Sequence, residues 1–177
     1  MAYRKAARVY RRYGCPIVSV GKVVRFVAVT SLRDVLVVRQ LRNTCYNQLT
    51  NYREYISVLQ QIRWHFSYYR KEVRSGVYRL YLALNAVDSP VGYGALFLQD
   101  NQLYVTECVT PEHRGQGYGR TILFHLISIA RQEHLPLVAE IWATNQNSIM
   151  LHARAGFLYE STKVKLDGEL HIYRLQF

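Results

Sequence analysis

The chain has 177 residues, half of them hydrophobic, and a formal net charge of +11, which is the size and apolar content of one folded domain and excludes a disordered polymer. No apolar run reaches the roughly 18 residues of a membrane span, and the basic start has no signal-peptide apolar core behind it, so no membrane partner and a cytoplasmic location are expected. Cys15, Cys45 and Cys108 lack Cys-x-x-Cys spacing and the six histidines lack metal-ligand spacing, so reduced thiols and no metal are expected.

The charge is unevenly placed. Arg4, Lys5, Arg8, Arg11, Arg12, Lys22, Arg25 and Arg33 all precede the first acidic residue, Asp34. Such a block reads either as a site for DNA or RNA or as a solvated, solubilising arm. Residues 1–20 are taken as a basic N-terminal extension and 21–177 as the domain. Residues 2–13 suit a basic helix with little apolar face, broken by Gly14 and Pro16, and 17–20 and 23–29 read as β-rich chain.

Ser31, with Asp34 three residues on, predicts an N-cap for a helix to about Asn43, although Val35 to Val38 also suit a strand. Ser57 and Gln60 form a capping box for a second helix to about Arg70. Around it Arg53, Arg63, Arg70, Lys71 and Arg74 interleave with Tyr52, Tyr55, Trp64, Tyr68 and Tyr69. That mixture suits stacking on a base or sugar while neutralising phosphate; the competing reading is a solvated helix face with its aromatics packed inward.

Segments 77–84, 91–98 and 103–109 alternate as three antiparallel strands, separated by turns at Asp88-Ser89-Pro90 and Asp100-Asn101. A helix over 117–133 presents Ile122, Leu123, Leu126, Ile127 and Ala130 on one face. A strand over 137–144, a helix over 145–155 ended by Gly156, and a closing hairpin over 157–177 complete the order β, α, α, β, β, β, α, β, α, β, β.

Between strand and helix, Gly115, Gly117 and Gly119 remove Cβ atoms where the backbone turns into a helix N-terminus, a place suited to phosphate. Neither a P-loop nor a Gly-x-Gly-x-x-Gly dinucleotide fingerprint fits the residues. Arg114-x-x-Gly117-x-Gly119 does resemble motif A of the GNAT acetyltransferase superfamily. Asn145, Ser148, Leu151, His152, Gly156 and Phe157 resemble its motif B, with His152 where that motif has Tyr.

The resemblance implies an α/β (α+β) GNAT-like fold: a mixed, mostly antiparallel sheet of about seven strands flanked by about four helices. It implies acetyl-CoA as co-substrate in a gap between two central strands, held by backbone groups near Cys108 and Val109. The loop of Arg114, Gly115, Gln116, Gly117, Tyr118, Gly119 and Arg120 would take the pyrophosphate, with Asn145 and Ser148 nearby. Glu140 is the first expected base and Glu107 the second, with a structural ion pair as the competing role for either. His152 is expected to protonate the leaving thiolate or, equally, to pack on the cofactor. Cys108 as an acyl carrier is disfavoured, since no adjacent base is legible.

The acceptor is expected to be a small amine or an amino sugar carried on a nucleotide, because Arg42-Asn43 and Gln60-Gln61 with Trp64 resemble a subgroup acting on such sugars. An amine carried on nucleic acid, a protein amine, and a non-catalytic nucleic-acid-binding module are the alternatives. A homodimer is among the expected assemblies.

Overall fold

The computed structural model describes residues 24–177. The basic extension over 1–20, with Cys15 and the helix expected over 2–13, lies outside the described residues.

One seven-stranded sheet runs in the order β1-β2-β3-β4-β5-β7-β6. Its strands are β1 (Arg25–Ala28), β2 (Tyr78–Leu84), β3 (Pro90–Gln99), β4 (Gln102–Val109), β5 (Leu137–Trp142), β6 (Leu158–Lys165) and β7 (Gly168–Leu175). Every pairing is antiparallel except β4 with β5. The expected mixed, mostly antiparallel sheet is thus present.

Helix α1 (Leu32–Asn43) starts at a complete capping box: Ser31 Oγ accepts from the Asp34 N–H while the Asp34 carboxylate accepts from the Ser31 N–H. That box, with Val35 and Val38 buried on one face, overrides the strand propensity of the valines. Ser57 and Gln60 cap α2 (Val58–Trp64) in the same way. This helix does not end near Arg70 as expected. A π-helical turn (His65–Tyr69) leads directly into α3 (Arg70–Ser75), and the run stops at Gly76 in the left-handed region. The wider turn lets Trp64 stack on Tyr69, with ring centroids 4.7 Å apart, while Tyr69 donates to the Val29 carbonyl. Helix α4 (Tyr118–Glu133) and helix α5 (Gln146–Arg154) follow β4 and β5.

The helices cover both faces of the sheet. Ile122, Leu123, Leu126 and Ala130 on α4 are wholly buried against Leu96, Leu103 and Leu137, as their spacing predicts. Burying each of the larger side chains contributes about 1.5–3 kcal/mol. On the other face Val35, Val38 and Tyr69 cover Leu80, Leu82 and Tyr93. Gly92 lets β3 and β4 lie together: a Cβ there would stand 2.2 Å from the Cys108 carbonyl oxygen.

One sequence expectation is overturned. Cys45, just after α1, and Cys108 on β4 form a disulfide across a separation of 63 residues, so these two are not free thiols. Spacing could not reveal the pairing, because α1 brings Cys45 to β4 only by packing on the sheet.

Candidate active site

The site begins with a defect in the sheet. β4 and β5 pair only at Leu103↔Leu137 and Tyr104↔Val138, and beyond that they diverge. The Leu103 N–H reaches across to Pro136 and the Thr110 N–H reaches back to Val91 on the other side. Strand alternation therefore turns the backbone N–H and C=O of Val105, Glu107 and Val109 toward the gap. The amide of Cys108 belongs to the β3 side, since Cys108 pairs with Tyr93 and its carbonyl faces Gly92. Of the two residues expected to hold the co-substrate through their backbone, only Val109 turns its amide to the opening.

A cavity of about 700 Å³ occupies the wedge. Its rim is the turn from β4 into α4. Pro111–His113 form a short 3-10 turn, steadied by Thr110 Oγ1 at 2.8 Å from His113 Nδ1. Gly115 (φ 71°) and Gly117 (φ 87°, the N-cap of α4) then carry the chain through conformations that side-chain-bearing residues rarely adopt. Gly119 differs from the expectation that all three glycines serve the turn. It lies inside the helix with ordinary room for a Cβ, 3.6 Å from Leu151 Cδ2. Arg114, Gly115, Gly117, Tyr118, Gly119 and Arg120 line the cavity here; Arg114, Gly115, Gly117 and Arg120 are exposed, while Tyr118 is buried. The early N–H groups of α4 and its dipole make it a place for phosphate oxygens. Arg114 also donates Nε to the Val109 carbonyl at 3.3 Å, tying the turn to the gap.

At the floor of the cavity stand two residues expected on separate grounds. The Glu107 carboxylate is 3.6 Å from His152 Nε2, and the side chains are 11% and 2% exposed. His152 Nδ1 lies 2.9 Å from the Ser148 carbonyl, which can only accept, so Nδ1 carries a hydrogen. In a neutral imidazole Nε2 would then present a lone pair to a carboxylate. Among the described residues His152 Nε2 makes no hydrogen bond and faces the Glu107 carboxylate at ion-pair distance. Burial pushes the Glu107 carboxyl above the usual carboxylate range, and the neighbouring imidazole partly offsets this. Phe157 packs its ring edge-to-face with His152 at 5.0 Å.

Glu140 lies along the wall on β5 and lines the same cavity. Its carboxylate is 3.7 Å from Lys163 Nζ on β6, a partner invisible in the sequence because β6 reaches β5 only through β7. Asn145 caps α5, its Oδ1 accepting from the Ser148 N–H, and both residues line the cavity. The sequence reading missed the roof. The segment after α1 lies over the gap, held where Trp142 Nε1 donates to the Leu49 carbonyl and Lys165 Nζ to the Thr50 carbonyl. Among the described residues no group of three metal-ligating side chains occurs, and no helix is long and apolar enough to cross a membrane.

A splayed β4/β5 pair, a glycine turn opening a long helix, and a buried acid–imidazole pair beneath them define an acyl-CoA-dependent acyltransferase fold. A family model described as the acetyltransferase (GNAT) family matches residues 37–157, and the chain belongs to that family, as an acetyl-CoA-dependent N-acetyltransferase. No curated protein matches the chain at the sequence level. Among solved structures it is similar to one from Acinetobacter baylyi ADP1 (21% identity, TM-score 0.74, covering 88% of this chain and 94% of that one). It is also similar to an N-acetyltransferase from Staphylococcus aureus Mu50 (19%, 0.72, 86% and 98%). A third is the spermidine N-acetyltransferase of Vibrio cholerae in complex with CoA and spermine (15%, 0.72, 86% and 95%). These likenesses establish the fold.

Proposed function

We propose that the protein transfers acetyl from acetyl-CoA to the primary amine of a small molecule or amino sugar, nucleotide-linked sugars included, by direct attack in a ternary complex. The supporting observation is that the free edge of β4, the N-terminus of α4 and the Glu107–His152 pair all open on one cavity.

In this reading the glycine turn holds the pyrophosphate and the thioester lies along β4. The Val109 N–H donates to the carbonyl oxygen as it becomes an oxyanion, a contribution of about 3 kcal/mol. The amine lone pair forms the new C–N bond, the C–S bond breaks, and the amine's surplus proton passes to Glu140 directly or through water. The Glu107–His152 pair supplies a proton to the departing thiolate, giving CoA-SH and the amide. Cys108 takes no acyl group, because its sulfur is bonded to Cys45.

Purified protein incubated with radiolabelled acetyl-CoA and a total extract tests the reading. Label in small molecules supports it. Label released only by nuclease supports the second reading, an amine on nucleic acid, favoured by the eight basic residues before Asp34. Acetyl-CoA binding without transfer to any acceptor supports a non-catalytic module.

A further inference from the structure

A second cavity, of about 480 Å³, lies between α1, α2 and the sheet. Leu49, Thr50 and Thr106 line it and the acetyl-transfer cavity alike, so the two spaces adjoin at the roof of the gap. Its walls carry two guanidiniums, those of Arg39 and Arg42, and the rings of Tyr52, Trp64, Tyr68 and Tyr93, with no aspartate or glutamate among the lining residues.

Both arginines are fixed. Arg39 donates Nε to the Ile56 carbonyl at 2.7 Å and Nη2 to the Tyr55 hydroxyl at 3.1 Å. Arg42 donates Nη1 to the Glu54 carbonyl at 2.8 Å and Nη2 to the Tyr52 carbonyl. Among the described residues neither has a carboxylate within ion-pair distance, and Arg39 Nη1 and Arg42 Nε have no hydrogen-bond partner. The Glu54 carboxylate accepts from the Tyr52 hydroxyl and does not line the cavity. Two immobilised cations without a counter-ion, Arg39 buried and Arg42 partly buried, invite an anion, because backbone carbonyls already hold them in place. Beside them Trp64, stacked on Tyr69 across the π-helical turn, offers a flat face for a ring.

We propose that this cavity holds the far end of the acceptor, and that the acceptor is an amine joined to a flat ring bearing a phosphate or carboxylate. The proposal rests on acetyl transfer at the adjoining site. It sets this chain apart from polyamine acetylation: a polycation would meet two guanidiniums and no carboxylate there.

Of the two tryptophans of the chain Trp64 lines this cavity and Trp142 does not, so quenching in the parent protein that Trp64→Phe abolishes reports on this cavity. Titration with phenyl phosphate, benzoate, benzylamine and spermidine reads binding without any turnover. Phenyl phosphate or benzoate should quench saturably, at least about tenfold tighter than benzylamine or spermidine. The tighter of the two says whether phosphate or carboxylate is the natural anion. Arg39→Gln and Arg42→Gln, each with an unchanged melting temperature, should lose that preference. Should either variant unfold, the comparison of ligands on the intact arginines still decides. In parallel, kcat/KM for O-phosphotyramine or 4-(2-aminoethyl)benzoate should exceed that for tyramine and spermidine by at least about tenfold. Anion-selective quenching without acetylation of any amine would leave the subsite standing and sink the acetyl-transfer reading. Acetylation of tyramine or spermidine with no preference for the anionic amines, and no anion-selective quenching, would overturn the subsite and leave acetyl transfer standing.

Discussion

Glu107 and His152 face one another at 3.6 Å across the floor of the β4/β5 gap, and the Ser148 carbonyl holds the far side of the imidazole at 2.9 Å. Replacing Glu107 by Gln keeps the volume but removes the acid. With the pair as proton donor to the thiolate, kcat should fall by about 10²–10³ while acetyl-CoA affinity, measured calorimetrically, stays within about twofold. Equal activity of the variant would make the pair a buried structural contact. His152→Tyr restores a hydroxyl where the resembling motif has one, and the alkaline limb of its rate profile should move relative to the parent.

Glu140 and Lys163 allow a separate test of the base. Their ion pair is partly exposed, so its loss should cost under about 1 kcal/mol of stability. Glu140→Gln should lower the acetylation rate at least tenfold in roughly that stability range, and Lys163→Met should cost similar stability with a much smaller rate effect. Matching rate losses in the two variants would place the ion pair, and not the carboxylate, behind the effect.

The glycines of the turn should separate by role. Gly117→Ala forces a side chain into φ 87° and should destabilise by about 1–2 kcal/mol in chemical denaturation. Gly119→Ala sits in a regular helix with ordinary room and should stabilise by about 0.5–1 kcal/mol. If Gly119→Ala nonetheless weakens acetyl-CoA binding, close approach of the ligand is the reason for glycine there. If binding is unchanged, that position serves only the helix.

His125 predicts an acid limb of stability. It stacks on Phe26 at 3.9 Å and meets Tyr81 edge-on, and burial pushes its imidazole down to about 4. The folded protein therefore prefers the neutral ring, while the unfolded chain protonates near pH 6.5. The contribution is fully present above pH 6.5 and is lost as pH falls toward 4, amounting to roughly 3 kcal/mol. The melting temperature should drop over that window, and His125→Phe should flatten the drop. An identical slope in the variant would assign it to other groups.

What the sequence determined by itself is local. The Ser57–Gln60 capping box announced α2, and Ser31 with Asp34 offered an N-cap for α1, because the groups involved lie three residues apart. The helical spacing of Ile122, Leu123 and Leu126 predicted the face that α4 buries, and the glycines after β4 predicted the anion-suited turn. The tertiary structure decided what depends on strand order and crossovers. The pairing of Glu107 with His152, of Glu140 with Lys163, and of Cys45 with Cys108 each joins separate elements, so no spacing rule could reveal them. Which amide faces the gap needed the register of β3 on β4, and the carboxylate-free cavity around Arg39 and Arg42 exists only once α1 and α2 close over the sheet. Hydrogen bonds between near neighbours can be read along the chain, but burial and charge neutralisation are properties of the packed surface.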